Sequence, residues 1–246
     1  MQSIGKNFLY YTEIENLAIS NEEKGVPEPH WEKEIPDGAE IIKLPIEEFS
    51  SQKSLQETID SRKSIRKFAE GSITLLELSQ LLWNTQGVKR RVKDRSVTKR
   101  TVPSAGARHA FETYLYINRV DELKPGLYRY IASTHALYPI DVNFSIVNLQ
   151  TACLGQKFVS SSAVLFIWTA IAERMVWRYG ERGYRYLFLD AGHVCQNLYL
   201  TAEEIDLGVC AIGAYSDKQI HDLLSIDGEQ EFAIYLTAVG KKIERF

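Results

Sequence analysis

GYRYLFLDAGHVCQNLYLTAEEIDLG, residues 183–208, is the stretch on which the reading of this 246-residue chain turns. Within it Leu187, Ala191, Val194, Leu198, Ala202 and Ile205 recur three or four residues apart, which places them on one face of a helix. The spacing predicts one long helix over 183–205. Gly208 is placed to stop it, because glycine readily takes the left-handed conformation that closes helices. Residues 163–172, short and almost wholly apolar around Thr169, suit a strand covered on both faces, and residues 231–239 read as a second apolar strand. The first is far too short to cross a membrane.

Further strands are expected at 111–118, at 126–130 with 136–140 joined by a turn, and at 208–215. Thr74 and Glu77 have capping-box spacing, and Leu75, Leu78 and Leu82 carry a helix from there to Trp83. Residues 144–154 and 217–224 read as shorter helices. Strands and helices mix without regular βαβ alternation, so the class is α+β. Residues 1–50 differ from the rest. They hold Pro27, Pro29, Pro36 and Pro45, four of the seven prolines, and cannot form one long helix. An N-terminal arm of short helices and extended pieces, lying on a neighbour or a second subunit, is expected there, followed by one domain over 51–246. Residues 89–100 carry seven basic side chains and one acid, Asp94. Lacking apolar periodicity, they read as a surface loop.

Hydrophobic residues make up 45 % and charged residues 25 %, the balance of a globular chain able to bury its own core. The formal net charge of −3 argues against a nucleic-acid binder. No signal peptide is read at the N-terminus. Cys153, Cys195 and Cys210 are too sparse for a disulfide framework and read as core thiols of a reducing, cytoplasmic compartment. No histidine pair has metal-ligand spacing, so no metal is assigned. There is no G-x-S-x-G elbow.

Four segments can carry chemistry. In SRKSIRKF (61–68), Arg62, Ser64 and Arg66 alternate and would project from one side of an extended segment. Two guanidinium forks and a hydroxyl suit a phosphate, although a basic octamer read alone is more often a solvated face. TVPSAGARHAF (101–111) is compact at Pro103, Ser104, Ala105, Gly106 and Ala107. It would let a backbone approach a flat ligand, with Arg108 as a nearby cation; the bland alternative is a turn. GVCAIGAYS (208–216) has the same character around Ala211, Ile212 and Gly213. WRYGERGYRY (177–186) interleaves arginines with tyrosines, as for an anionic or aromatic substrate or for a subunit contact. The first three together suit a ligand with a phosphate and a planar ring, such as flavin mononucleotide.

These segments, in this order with LLWNTQG (81–87), resemble the nitroreductase superfamily, and within it the SagB-type dehydrogenase branch. The resemblance implies a central, mostly antiparallel sheet flanked by helices in an intertwined homodimer, with FMN at the subunit interface. It implies that Arg62, Ser64 and Arg66 hold the phosphate and ribityl chain, and that Gln86 lies near the flavin. Pro103, Ser104 and Gly106 would line the ring from the partner chain, with Arg108 a candidate for stabilising the anionic reduced flavin. Ala211, Ile212 and Gly213 would meet its other side, and Lys241 or Lys242 would help neutralise the phosphate. It implies an oxidoreductase fed by NAD(P)H or by its substrate, a small molecule or a peptide, through a ping-pong cycle. Where peptide-azoline dehydrogenases carry a Lys-Tyr pair, this chain has Arg178 and Tyr179. Arginine is a poor general base, so a non-catalytic flavin-binding partner of a peptide-modifying complex is the alternative.

Overall fold

A computed structural model describes residues 3–46, 53–92, 95–141 and 145–243. After α1 (Ile4–Tyr11) and the two-residue β1 (Ile42–Lys43) come α2 (Leu55–Ser61), α3 (Leu75–Gln86), β2 (Val88–Arg91), β3 (Thr98–Arg100), β4 (Phe111–Ile117), β5 (Gly126–Ile131) and β6 (Ala136–Asp141). The second half runs α4 (Ile146–Ala152), α5 (Lys157–Ser161), β7 (Val164–Ile171), α6 (Ala172–Tyr179), α7 (Gly183–Glu204), β8 (Leu207–Ile212), α8 (Asp217–Leu224) and β9 (Glu231–Lys241). Seven strands form one sheet in the order β1-β6-β5-β4-β7-β9-β8, and every neighbouring pair is antiparallel.

The period-two geometry of β7 divides the core. Phe166 and Trp168 turn to the face where Leu187, Val194 and Leu198 of α7 pack with Leu78 and Leu82 of α3. Leu165 and Ile167 turn to the opposite face, against Leu149, Val159 and Ile220 of α4, α5 and α8. Each such side chain contributes about 2–3 kcal/mol on leaving water. The α7 stripe is buried as its spacing predicts. The α3 capping box is present, with Glu77 N donating to Thr74 Oγ1 at 3.1 Å and Thr74 N to Glu77 Oε2 at 2.7 Å.

Two local expectations are corrected. The stretch 89–100, of which residues 93–94 lie outside the described residues, is not loop throughout: β2 and β3 pair antiparallel. Thr98 and Arg100 point inward while Lys99 points out, and Arg91 and Arg100 stand over the Trp31 ring at 5.5 and 5.7 Å. Burial pushes the Arg100 guanidinium down to about 10. The left-handed residue closing α7 is Asp206 (φ +58°), not Gly208, which lies within β8. There a Cβ would stand 2.9 Å from Ile65 Cγ2, so this glycine serves close approach between segments. The arginine-tyrosine segment begins in the separate helix α6, whose Arg174 is buried.

The arm is pinned to the body of its own chain. Arg108 grips Glu28. Arg174 Nε donates to the His30 carbonyl at 2.8 Å, Arg129 to the Glu34 carbonyl at 2.8 Å, and Arg182 to the Thr12 carbonyl at 2.9 Å. Arginine forks anchor it because each reaches a carbonyl or carboxylate while its stem packs on apolar surface. Among the described residues, no helix is long and apolar enough to cross a membrane.

Candidate functional site

The segment carrying Arg62, Ser64 and Arg66 runs extended along the outer edge of β8. Ser64 bridges Val209 in parallel, and Ile65 N donates to the Val209 carbonyl at 2.8 Å. Tyr199 of α7 fastens the junction. Its hydroxyl accepts from Ala211 N at 2.9 Å and hydrogen-bonds Ser64 Oγ at 3.0 Å. The Arg62 guanidinium stands 5.3 Å from its ring centroid. Arg66 lies beside Cys210, whose thiol burial pushes up against the pull of that cation. Thus Arg62, Ser64, Arg66 and Ala211 converge, although 145 residues separate Arg66 from Ala211 in the chain. A cleft of about 520 Å³ opens here, lined by Ser64, Arg66, Lys63, Lys67 and Lys242. That size suits a small-molecule ligand, and the hydroxyl among cations suits an anion such as phosphate.

A second group forms around residues 103–109. Pro103 and Gly106 are exposed. Gly106 is left-handed (φ +56°), and a Cβ there would stand 2.4 Å from Tyr179 Oη and 3.2 Å from Arg178 Cδ. The small loop therefore abuts the two residues expected to meet substrate. Among the described residues Tyr179 makes ring contacts only, an edge contact with Tyr186 at 4.9 Å and a stack with Arg178, so its hydroxyl is available. Ser104 Oγ accepts from His109 N at 2.9 Å, and Ala105 N donates to the Asp190 carboxylate at 3.2 and 3.3 Å. Burial pushes the Asp190 carboxyl up, against those hydrogen bonds. Burial beside Arg100 pushes His109 down to about 2, so its imidazole is neutral. A cleft of about 380 Å³ lies beside this loop, between arm residues Leu17, Ala18 and Ser20 and the side chains of Arg178, Tyr179 and Tyr186.

Other expected residues lie elsewhere. Gln86 is buried, and its Oε1 accepts from Arg100 at 2.8 Å beneath Trp31. The Arg108 side chain faces inward, donating to the Arg174 carbonyl at 2.7 Å over the Trp177 ring; one of its nitrogens, Nη2, is buried without a partner. Lys241 turns away to Glu77 at 2.6 Å, and it is Lys242 that lines the 520 Å³ cleft while pairing with Glu203 at 2.8 Å. Ile212 is buried and Gly213 exposed with open space at its Cα. The three cysteines are free and buried. Among the described residues no group of His, Cys, Asp and Glu is disposed to hold a metal.

Two residues of α7 escaped the sequence reading. Asp190, an acid on the buried stripe, holds the small-residue loop. Tyr199, nine positions later, holds the phosphate-type corner. Nine residues are about two and a half turns and roughly 14 Å of rise. The two groups thus attach to opposite sides of α7, well apart along it.

A seven-stranded antiparallel sheet with helices on both faces, an anion corner on its edge strand and a glycine-hinged loop define the class. The nitroreductase family profile matches residues 59–241, and the chain belongs to that family. The protein MJ1384 of Methanocaldococcus jannaschii, itself named as a nitroreductase, is 36 % identical over 204 residues, covering 82 % of this chain and 97 % of its own. A nitroreductase structure from Anabaena variabilis superposes with a TM-score of 0.69 at 30 % identity; 84 % of this chain covers 42 % of that one. The trifolitoxin-processing protein TfxB of Rhizobium leguminosarum bv. trifolii is 30 % identical over 134 residues, 52 % of this chain and 36 % of TfxB.

Proposed function

We propose that this chain is an FMN-dependent oxidoreductase of the SagB-type branch, working in the cytoplasm as a homodimer and turning over a small-molecule or peptide substrate with NAD(P)H or the substrate itself as donor. The observation that carries this is the separation of two complementary half-sites on opposite faces of α7. One is built for a phosphate tail and the other for a flat ring. A second copy would present its small-residue loop to the first copy's anion corner. The outward face of α7 supports such pairing, with Phe188 and Leu189 exposed and Gly192 one turn further on. An exposed apolar stripe of this kind favours burial against another protein surface.

FMN, when bound, accepts a hydride and passes electrons on in a ping-pong cycle. The chain's part is to bind and orient. Arg62, Ser64 and Arg66, with Lys242 nearby, would hold the phosphate by charge-assisted hydrogen bonds. Pro103, Ser104 and Gly106 would admit the ring at van der Waals distance, while Asp190 fixes the loop's backbone. Ala211, Ile212 and Gly213 would border the ring's other side. Arg108 would act from behind the loop, as a fixed positive charge rather than a contact. Tyr179, with its hydroxyl unengaged beside Gly106, would move a proton to or from substrate. Arg178 stays charged and would orient an electron-rich substrate group rather than take a proton.

The test is the double substitution Arg62→Ala/Arg66→Ala. The purified variant should fold and dimerise yet carry little or no FMN, whereas full occupancy would refute the phosphate assignment. The likeness to TfxB, a processing protein, favours one second reading: a flavin-binding, non-catalytic member of a peptide-modifying complex. Steady-state turnover of quinone or nitroaromatic acceptors by the isolated protein would eliminate it.

A further inference from the structure

The arm does more than cover the body. Between Ser20 and Val26 it forms a tight turn, closed by Lys24 N to the Ser20 carbonyl at 3.1 Å and Val26 N to the Asn21 carbonyl at 3.0 Å. Ser20 is bonded through its amide and hydroxyl to Glu23 Oε2 at 2.8 and 2.7 Å. Two bonds fasten the turn to α6: Glu22 N to the Trp177 carbonyl at 2.8 Å, and Trp177 Nε1 to the Val26 carbonyl at 2.8 Å. The Glu22 carboxylate is thereby held 3.3 Å from Arg178 and 3.9 Å from Arg95 of the β2–β3 hairpin. Arg178 in turn lines the 380 Å³ cleft, as Glu23 does and Glu22 does not, and touches the position a Cβ on Gly106 would take.

Two cations facing one oxygen atom form an anion site, and here the anion belongs to the chain itself. We infer that Glu22 is a specificity-determining residue: it occupies, from within the chain, the place an anionic substrate group would take on Arg178, and so biases the cleft against anionic substrates. The inference rests on the flavin reading above. Its physical basis is short-range charge. An incoming carboxylate must either displace a tethered one or sit beside it, and both are unfavourable. A neutral substrate of the same shape bears neither cost. Because the turn is fastened through main-chain atoms, changing the Glu22 side chain leaves the arm's anchorage in place.

The experiment uses the FMN-loaded protein and two matched acceptors, 4-nitrobenzoate and 4-nitrobenzamide, with a reduced nicotinamide donor. In a ping-pong cycle the acceptor kcat/KM does not depend on the donor. The ratio of kcat/KM for the anionic over the neutral acceptor should rise about tenfold in Glu22→Gln, the scale of removing one like charge a few ångströms away in a partly screened cleft. Glu22→Ala should raise it similarly, and Glu22→Asp should keep it near the parent value. In Glu22→Gln/Arg178→Gln the gain should vanish. An unchanged ratio in Glu22→Gln and Glu22→Ala, with the parent protein active, would overturn this inference and leave the flavin reading standing. A gain that persists without Arg178 would overturn it too. A parent protein that neither holds FMN nor reduces either acceptor would take both down.

Discussion

Replacing Gly106 with alanine tests the contact that joins the ring-sized loop to the proposed proton-moving residue. The left-handed backbone (φ +56°) costs an alanine roughly 1–2 kcal/mol relative to glycine. The new methyl would also meet Tyr179 Oη at 2.4 Å, so the ring must move by about an ångström to reach ordinary contact. That ring is held against Tyr186 at 4.9 Å, an edge contact contributing about 0.5–1.5 kcal/mol. The substitution should therefore destabilise the protein by about 2–3 kcal/mol. In a Tyr179→Phe background the clashing oxygen is gone and the nearest ring atom, Cζ, lies 3.2 Å from the Cβ position. The cost should then fall by about 1 kcal/mol, to the backbone term alone. Urea denaturation of the parent, both single variants and the double variant gives the coupling. Effects that add within about 0.5 kcal/mol would refute the contact.

Three further outcomes are expected. Glu28→Gln should cost about 3 kcal/mol in urea denaturation, because the Arg108 side chain has no exposure and would lose its counter-charge; a loss below about 0.5 kcal/mol, the range of an ordinary surface change, would show that the pair does not hold the arm. The His109 pKa is lowered from 6.5 to about 2, so the stability tied to its neutral form is complete above the unfolded value and is lost as pH falls below about 6.5, by roughly 2 kcal/mol between pH 7 and pH 5. Buried His135, lowered to about 4, adds in the same direction; melting temperatures that do not fall over that interval would contradict both. Asp190→Ala leaves the Ala105 amide without its partner and should cost about 1–3 kcal/mol, together with weaker flavin retention read by equilibrium dialysis.

Much of the fold was legible because most elements obey one period. The stripe on α7 and the apolar runs of β7 and β9 bury what their spacing says they bury. Two elements left unread, β3 and α6, share a cause, which is arginine facing inward. Arg100 alternates correctly with Lys99 along β3, but a cation at the inward position conceals a strand; its stack on Trp31, 69 residues earlier, and its hydrogen bond to Gln86 make that position tolerable. Arg174 hides α6 in the same way, its charge met by Glu112 at 2.8 Å. For the site, residue type and spacing in SRKSIRKF and in the loop carrying Ser104 and Gly106 were informative. Direction was not. Lys241 and Lys242 are adjacent, and only the register of β9 against β8 decides which of them faces the cleft. Asp190 and Tyr199 could have been suspected as polar groups among the apolar positions of α7. The partner of Glu22 could not, since its contacts depend on how the arm folds back.

A flavin slot completed by two copies of the chain is open to native mass spectrometry of the purified protein. A particle of two chains carrying two molecules with the mass of FMN is expected. A single chain that stays unliganded after incubation with excess FMN would contradict it.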